Sequence, residues 1–153
     1  MLYAFLGKAA YWLTAPALFL VSLWSKPRVR VIVVNDEGNI LLVRNWYGRQ
    51  RWALPGGGRK WHEPPAQAGI RELREELSLD LSAEDLHPLG MIERYDASTP
   101  FSADLFVVDV PSSKHIFRHP FELIDHRWVA VDALPKPIHP SVEKSLKLWR
   151  GQR

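Results

Sequence analysis

The 153 residues are about the length of one domain, and an apolar fraction of 46% with a charged fraction of 24% excludes disorder or low complexity as a description of the chain. The absence of cysteine excludes a disulfide scaffold, a Cys-ligated zinc site and a thiol nucleophile. Residues 1–30 carry four basic residues and no acid, whereas residues 31–153 carry 16 basic and 17 acidic residues, so the net charge of +3 does not indicate sequence-specific nucleic-acid binding by the whole domain.

The N-terminal segment, residues 1–27, is apolar and is predicted to lie outside the domain that follows. Residues 9–25 form a run of 17 uncharged positions, with Trp12 and Trp24 near its two ends. A helix here has apolar residues on all sides, and its length is at the short end of the range of about 17–25 residues that spans a membrane. Basic residues follow at positions 26, 28 and 30. Because basic residues flank the cytoplasmic end of a membrane segment, an anchor here predicts a cytoplasmic domain attached to the cytoplasmic face of the membrane.

Three interpretations of residues 1–25 remain open at this point. The segment is a membrane anchor, a helix that packs on the domain or on a second copy, or a cleaved signal peptide. Residues 15–17, Ala-Pro-Ala, resemble a cleavage site, but the first basic residue of the chain is Lys8 and apolar residues continue beyond the site. Pro16 is expected to kink a helix in each of these interpretations.

The remainder, residues 28–153, is predicted to be one α+β domain. β-branched and alternating patterns predict strands, and periodic apolar positions behind Pro64-Pro65 and Ser141 predict helices. The predicted strands cover 28–34, 40–44, 89–95, 104–110 and 122–131, and the predicted helices cover 64–77 and 141–149. Helices do not alternate regularly with strands, which favours an α-β-α sandwich with a mixed sheet over a doubly wound sheet.

The first predicted helix gathers three carboxylates on one side. At 100° per residue, Glu72, Glu75 and Glu76 fall within an arc of about 100°. The apolar residues of the same helix fall on a separate stripe, so one face is buried while another concentrates negative charge. Hard carboxylate oxygens select Mg²⁺, Mn²⁺ or Ca²⁺ rather than zinc. The alternative for such a pattern alone is a solvated surface rich in Glu and Arg.

The residues before this helix extend the pattern. Gly57 is followed by five residues and Glu63, then by seven residues and Arg71-Glu72-Leu73, one residue, Glu75-Glu76, one residue, and Ser78-Leu79. This spacing resembles the Nudix box, which has glycine where this chain has Ser78. Residues 52–57, Trp-Ala-Leu-Pro-Gly-Gly, also resemble the segment that commonly leads into the box in that family.

The resemblance implies a fold, a metal site and a reaction. It implies the α-β-α sandwich and a Mg²⁺ or Mn²⁺ site that uses Glu72, Glu75, Glu76 and the carbonyl of Gly57. Arg71 is expected to pair with Glu63 behind the ligands and to belong, with Glu72 and Glu75, to the catalytic set. Ser78 is expected either to cost about 1 kcal/mol in a left-handed conformation or to end the helix differently.

Two further groups of residues are candidates for the site. Glu122 lies six residues before Trp128, and the resemblance implies that a glutamate at this spacing joins the metal ligands or acts as the base; the alternative is a surface glutamate on an edge strand. The second group lies in a stretch that is basic and aromatic, and could clamp phosphates or stack a base rather than remain solvated. It consists of Arg44, Arg49, Arg51 and Trp52.

The resemblance implies a Mg²⁺- or Mn²⁺-dependent pyrophosphohydrolase that acts on a small nucleoside diphosphate linked to another moiety, through attack of water at phosphorus. A non-catalytic module of the same fold, which binds a nucleotide or a partner without turnover, is the alternative. A membrane-resident diphosphate is a third candidate, because it would also account for the apolar N-terminus.

Overall fold

The computed structural model describes residues 6–14, 27–93, 101–119 and 122–152. The described residues 6–14 are helical and are called α1. Five strands follow, namely β1 (Arg28–Val34), β2 (Ile40–Asn45), β3 (His87–Ile92), β4 (Ala103–Asp109) and β5 (Leu123–Val129). Two longer helices are α2 (Pro65–Leu77) and α3 (Pro140–Arg150), and a 3-10 turn covers Ala83–Asp85. The far end of the strand predicted over 89–95 lies outside the described residues.

The five strands form one mixed sheet in the order β3-β4-β1-β2-β5. The central pair β1 and β4 is parallel, with Arg28 opposite Ala103 and Val34 opposite Asp109. The other neighbouring pairs are antiparallel. The structure thus confirms the predicted α+β fold with a mixed sheet.

The two faces of the sheet bury separate apolar clusters. Because side chains alternate along a strand, Val29, Val31 and Val33 of β1 pack with α2, whereas Ile32 and Val34 pack with α3. Leu73 and Leu77 of α2 are fully buried in the first cluster, and Val142, Leu146 and Trp149 of α3 belong to the second. These clusters hold α2 and α3 on opposite faces of the sheet.

The hairpin of β1 and β2 opens beyond its turn. The two strands pair directly at Val34 and Ile40. Farther from the turn they separate, and the segment 53–57 lies between them. On one edge, Val43 and Ala53 exchange two backbone hydrogen bonds of 2.9 Å. On the other edge, the N–H groups of Val29 and Val31 donate to carbonyls of the segment at 3.0 and 3.1 Å. The glycine-containing loop is therefore held as an inserted piece of the sheet.

Helix α1 packs on the loop that follows β2. Gly7 approaches Trp46 so closely that a Cβ on Gly7 would lie 2.2 Å from the Trp46 carbonyl oxygen. Tyr11 meets Tyr47 edge to face, with ring centroids 5.6 Å apart, and Thr14 also hydrogen-bonds the Tyr47 hydroxyl. In the described ranges, no helix is long and apolar enough to cross a membrane.

Candidate catalytic site

Helix α2 brings the motif carboxylates to the inserted loop. Its start is fixed by Pro65, which lacks the N–H that a first turn leaves unpaired. Its end is a left-handed Ser78 with φ 54° and ψ 29°, whose N–H donates to the Arg74 carbonyl at 3.0 Å. The Leu79 N–H closes the cap by donating to the Leu73 carbonyl at 3.3 Å. Serine therefore keeps the left-handed turn that glycine usually supplies, and the helix does not end differently; the expected cost of that conformation stays a prediction.

Two glycines let the loop approach α2 and β1. Gly56 has φ +123°, and a Cβ there would lie 2.4 Å from the Val29 carbonyl oxygen. A Cβ on Gly57 would lie 2.5–2.7 Å from the carboxyl atoms of Glu72. Position 56 therefore needs glycine, whereas a Cβ at position 57 would require the Glu72 carboxylate to move; without one, that carboxylate lies directly against the loop backbone.

Glu76 is a buried carboxylate. Its residue is only 4% exposed, and Oε2 accepts a 3.0 Å hydrogen bond from the Gly56 N–H. Burial raises the pKa of Glu76 to about 8, although the Gly56 hydrogen bond and the charge of Arg30 act in the opposite direction. The neighbouring negative charges of Glu72 and Glu122 raise it further. Unless a further cation joins Arg30, ionisation of Glu76 is therefore unfavourable.

Arg71 connects the loop with the exposed side of the carboxylate cluster. Its guanidinium donates to both oxygens of Glu63 at 2.8 and 3.0 Å and to the Gly58 carbonyl at 2.8 Å. It also donates to Glu72 at 2.8 Å and to Glu75 at 2.9 Å. The hydrogen bond from Arg71 is the main cause that lowers the pKa of Glu63 to about 2. Burial raises the pKa of Glu72, and Arg71 opposes that shift.

β1 contributes two arginines that the sequence analysis considered only as strand or flanking residues. A guanidinium nitrogen of Arg30 hydrogen-bonds the Gly56 carbonyl, and the charges of Glu76 and Glu72 act on it. The Arg28 guanidinium lies 3.9 Å from the centre of the Phe101 ring, and burial lowers its pKa to about 10. Their place in the site could have been suspected from the sequence, because two arginines stand at alternate positions of an otherwise apolar strand.

The backbone of Glu122 is linked to α2 through His119 and to the loop after β2 through Trp46. The His119 N–H donates to the Glu76 carbonyl at 3.0 Å, and the Glu122 N–H donates to the His119 carbonyl at 3.2 Å. The Glu122 carbonyl in turn accepts from the Trp46 N–H at 3.0 Å. Glu122 itself is exposed, and its charge reaches Glu76. The spacing before Trp128 thus brings this glutamate to the same end of the sheet as the helix carboxylates.

The donor chemistry of this cluster fits a divalent cation. Glu72 and Glu76 are desolvated carboxylates with raised pKa values, and Glu75 and Glu122 add negative charge at the rim. The Gly57 carbonyl accepts the 3.0 Å bond from Val29 and retains a second lone pair. Over the part of the chain that the structure describes, no three acid or histidine side chains converge into a metal cluster, and Glu75 bonds Arg71 instead.

The structure separates the basic and aromatic candidates. Trp52 is 4% exposed, and the Arg44 guanidinium carbon lies 5.2 Å from the centre of its ring. Arg127, which the sequence analysis did not consider, lies at the same distance from the same ring. Arg49 lies 5.5 Å from the ring of Trp12 on α1, and Arg51 is half-buried next to Trp52. The structure thus brings Arg44 and Trp52 together but directs Arg49 toward α1.

Curated proteins similar to this chain include RNA pyrophosphohydrolases. One from Hydrogenovibrio crunogenus is 35% identical over 94 residues, which cover 61% of this chain and 48% of the relative. One from Halorhodospira halophila is 40% identical over 70 residues, which cover 46% of this chain and 37% of the relative. The chain therefore spans less than half the length of these relatives.

The structural and family comparisons cover more of the molecule. The crystal structure of a MutT NUDIX hydrolase from Burkholderia pseudomallei is 27% identical, with a TM-score of 0.64, and the match covers 80% of this chain and 98% of that chain. The NUDIX domain family matches residues 24–149, which include the whole sheet, α2 and all of the carboxylates described above. The chain therefore belongs to the NUDIX domain family.

Proposed function

We propose that the protein is a Mg²⁺- or Mn²⁺-dependent pyrophosphohydrolase that cleaves a diphosphate linkage in a nucleoside diphosphate derivative. The observation that carries this proposal is the pair of desolvated carboxylates, Glu72 and Glu76, held against the backbone of Gly56 and Gly57. Burying two like charges side by side is unfavourable unless a cation joins them. RNA pyrophosphohydrolases among the relatives support a phosphoanhydride as the bond that is cleaved.

The cation would be held by Glu72, Glu75, Glu76 and Glu122 with the Gly57 carbonyl. When bound, it supplies charge neutralisation for the phosphates and for the oxygens that attack and leave. Glu72 is partly accessible, with a side chain 13% exposed, and its raised pKa suits a group that accepts the proton of the attacking water. The water oxygen bonds to phosphorus, the bond to the bridging oxygen breaks, and the departing phosphate carries the electron pair.

Arg71 has a positioning role in this proposal. Its bonds to Glu63 and Gly58 fix the loop relative to α2, and its bonds to Glu72 and Glu75 orient two carboxylates. Arg59 supports the same loop, since it pairs with Asp104 of β4 at 3.0 Å and donates to the Glu63 carbonyl. A pre-arranged loop keeps the carboxylates in place without relying on the substrate.

Hydrolysis of a panel of substrates in the presence of Mg²⁺ tests this proposal. The panel contains nucleoside triphosphates, dinucleoside polyphosphates, ADP-ribose, NADH, 5′-triphosphorylated RNA and prenyl diphosphates. We expect phosphate or pyrophosphate release from at least one of them, loss of release with EDTA, and recovery with Mg²⁺ or Mn²⁺. Tight nucleotide binding with no turnover of any substrate would instead support a non-catalytic module.

We also propose that the N-terminal region holds the protein at the cytoplasmic face of a membrane. Gly7, Tyr11 and Thr14 occupy the side of α1 that contacts the domain. Leu6, Trp12 and Leu13 are 52%, 59% and 84% exposed. Lys8 of α1 is also exposed, and a basic side chain on this helix favours an anionic surface. Sedimentation with anionic vesicles tests the idea: the Trp12→Ser/Leu13→Ser variant should remain in the supernatant, and equal pelleting of both proteins would contradict it.

A further inference from the structure

One side of helix α1 packs on the loop that follows β2. At 100° per residue, Gly7, Tyr11 and Thr14 fall within about 60° of one another on this helix. Gly7 is buried at the contact, and Thr14 hydrogen-bonds the Tyr47 hydroxyl. Helix α1 precedes residues 24–149, which match the NUDIX domain family. Its contact with the loop is therefore not part of the match to that family.

The contact is centred on Trp46, the first residue after β2. A Cβ added to Gly7 would lie 2.2 Å from the Trp46 carbonyl oxygen and 2.4 Å from a carbon of its ring. The same oxygen accepts a 3.1 Å hydrogen bond from the Gln50 side chain. Tyr11 packs on the next residue, Tyr47, with the ring centroids 5.6 Å apart. Helix α1 thus covers the first two residues with which the chain leaves β2.

The backbone N–H of Trp46 is bonded to Glu122. It donates to the Glu122 carbonyl at 3.0 Å. This bond lies beyond the regular pairing of β2 with β5, because the register of that ladder shifts between Arg44 and Asn45. The Glu122 N–H is bonded within its own turn, to the His119 carbonyl at 3.2 Å. The bond from Trp46 therefore ties Glu122 to the loop that α1 covers.

We infer that α1 positions Glu122 for the candidate metal site, acting through the backbone of Trp46. This inference rests on the metal site of the proposed function and adds a positioning element to it. Two backbone torsion angles separate the Trp46 carbonyl, which Gly7 contacts, from the Trp46 N–H, so a displacement of one group moves the other. Glu122 is exposed, and its charge reaches Glu76. A metal ligand must be held within a narrow range of positions, so a displaced Trp46 should weaken cation binding.

Binding of Mn²⁺ alone to the full chain, measured by isothermal titration calorimetry without substrate, tests the inference. Gly7→Ala should raise the Kd for Mn²⁺ at least about threefold, which is less than the roughly 10- to 100-fold that follows loss of a group bonded directly to a ligand. Alanine favours a helix more than glycine does, so the loss would come from the contact with Trp46. Gly151→Ala is the matched control, because a Cβ there would lie 3.5 Å from its nearest neighbour, an ordinary contact distance. The control should bind Mn²⁺ as the unaltered protein does.

Tyr11 and Glu122 provide two further tests of the same inference. Tyr11→Ala removes the ring that packs on Tyr47 and should weaken Mn²⁺ binding at least about threefold, whereas Tyr11→Phe keeps the ring and should bind as the unaltered protein does. Glu122→Gln should weaken Mn²⁺ binding at least about tenfold, and adding Gly7→Ala to it should have no further effect, because α1 acts through Glu122. Equal factors for Gly7→Ala in the two backgrounds would assign its effect to the domain as a whole and overturn the inference.

Hydrolysis of a panel substrate separates this inference from the proposed function. In Gly7→Ala, the Mg²⁺ concentration that gives the half-maximal rate should rise by the same factor as the Kd for Mn²⁺, while kcat at saturating Mg²⁺ changes little. Unchanged Mn²⁺ affinity in both Gly7→Ala and Tyr11→Ala, in a protein that hydrolyses phosphoanhydrides with Mg²⁺, would overturn the inference and leave the proposed function standing. Absence of hydrolysis with every substrate, together with Mn²⁺ binding that depends on Gly7, would overturn the proposed function alone.

Discussion

Replacing Glu76 by glutamine should stabilise the metal-free protein at alkaline pH. The carboxyl has an ordinary pKa of 4.5, and burial raises it to about 8 in the folded chain. A folded pKa above the unfolded value means that folding favours the protonated acid. The contribution of the protonated Glu76 carboxyl to the unfolding free energy is therefore fully present below about pH 4.5 and is lost progressively as pH rises to about 8. Glutamine has no charge to desolvate and retains an oxygen for the Gly56 N–H.

The size of the effect follows from the pKa difference. Each unit corresponds to about 1.4 kcal/mol, so the wild-type chain should lose up to about 5 kcal/mol of unfolding free energy between pH 4.5 and pH 8 through this group. For a domain of this size, the difference between variant and wild type at pH 8.5 corresponds to roughly 10 °C or more in Tm. At pH 5 the two proteins should unfold at nearly the same temperature.

Thermal unfolding in EDTA at pH 5.0 and pH 8.5, followed by circular dichroism, measures this difference. Glu75→Gln is the matched control, because Glu75 is on the same helix but its side chain is 45% exposed, and its effect should stay below about 1 kcal/mol. Saturating Mg²⁺ should raise the Tm of the wild type at pH 8.5 more than that of Glu76→Gln. Equal Tm values for wild type and Glu76→Gln at pH 8.5 in EDTA would refute the argument that burial of this charge is costly.

Four variants should have distinct effects on activity, stability or membrane binding. Glu75→Gln and Glu76→Gln should each lower kcat for the best panel substrate at least about 10²-fold, because an amide keeps the shape of the carboxylate but not its charge. The far-ultraviolet circular dichroism should change little. A variant with near-wild-type kcat at saturating Mg²⁺ would show that its residue is not a metal ligand. Ser78→Gly should raise the unfolding free energy by about 1 kcal/mol in urea titrations, since Ser78 has φ 54°, and a decrease would contradict a strained left-handed cap. A chain that begins at Lys26 should remain active on a water-soluble substrate but should no longer sediment with membranes. If this shorter chain aggregates while the full chain is soluble without detergent, α1 is a structural part of the domain.

Local patterns were sufficient to predict most elements. The helix predicted over 64–77 is observed as Pro65–Leu77, because its apolar stripe and its N-terminal prolines are both properties of neighbouring residues. The strands predicted over 28–34 and 40–44 are observed almost unchanged for the same reason. The strand order and the parallel pairing of β1 with β4 depend on contacts between distant segments, which periodicity does not encode.

The candidate site likewise contains residues that the local sequence predicted and residues that depend on contacts between distant segments. The spacing of the motif brought Glu72, Glu76 and Gly57 to attention, since all lie within one short stretch of chain. Arg30 was considered only as part of a strand because its role depends on the opening of the hairpin and on the Gly56 carbonyl, 26 residues away. Arg127 was overlooked for a similar reason, as its relation to Trp52 exists only after β5 has paired with β2.

The insertion of residues 53–57 between β1 and β2 has a consequence for local opening. Its backbone is bonded on both edges, so the segment cannot fray from the sheet as a free loop would. Hydrogen exchange at Ala53, whose N–H donates to the Val43 carbonyl of β2, should therefore require opening of the central sheet and occur at a rate close to that of the slowest strand amides. The same bonding makes added residues in this segment costly, because each would shift a register held on two sides. In the loop at 46–50, the Trp46 N–H is bonded to the Glu122 carbonyl, so length can vary without disturbing the carboxylates only beyond Trp46.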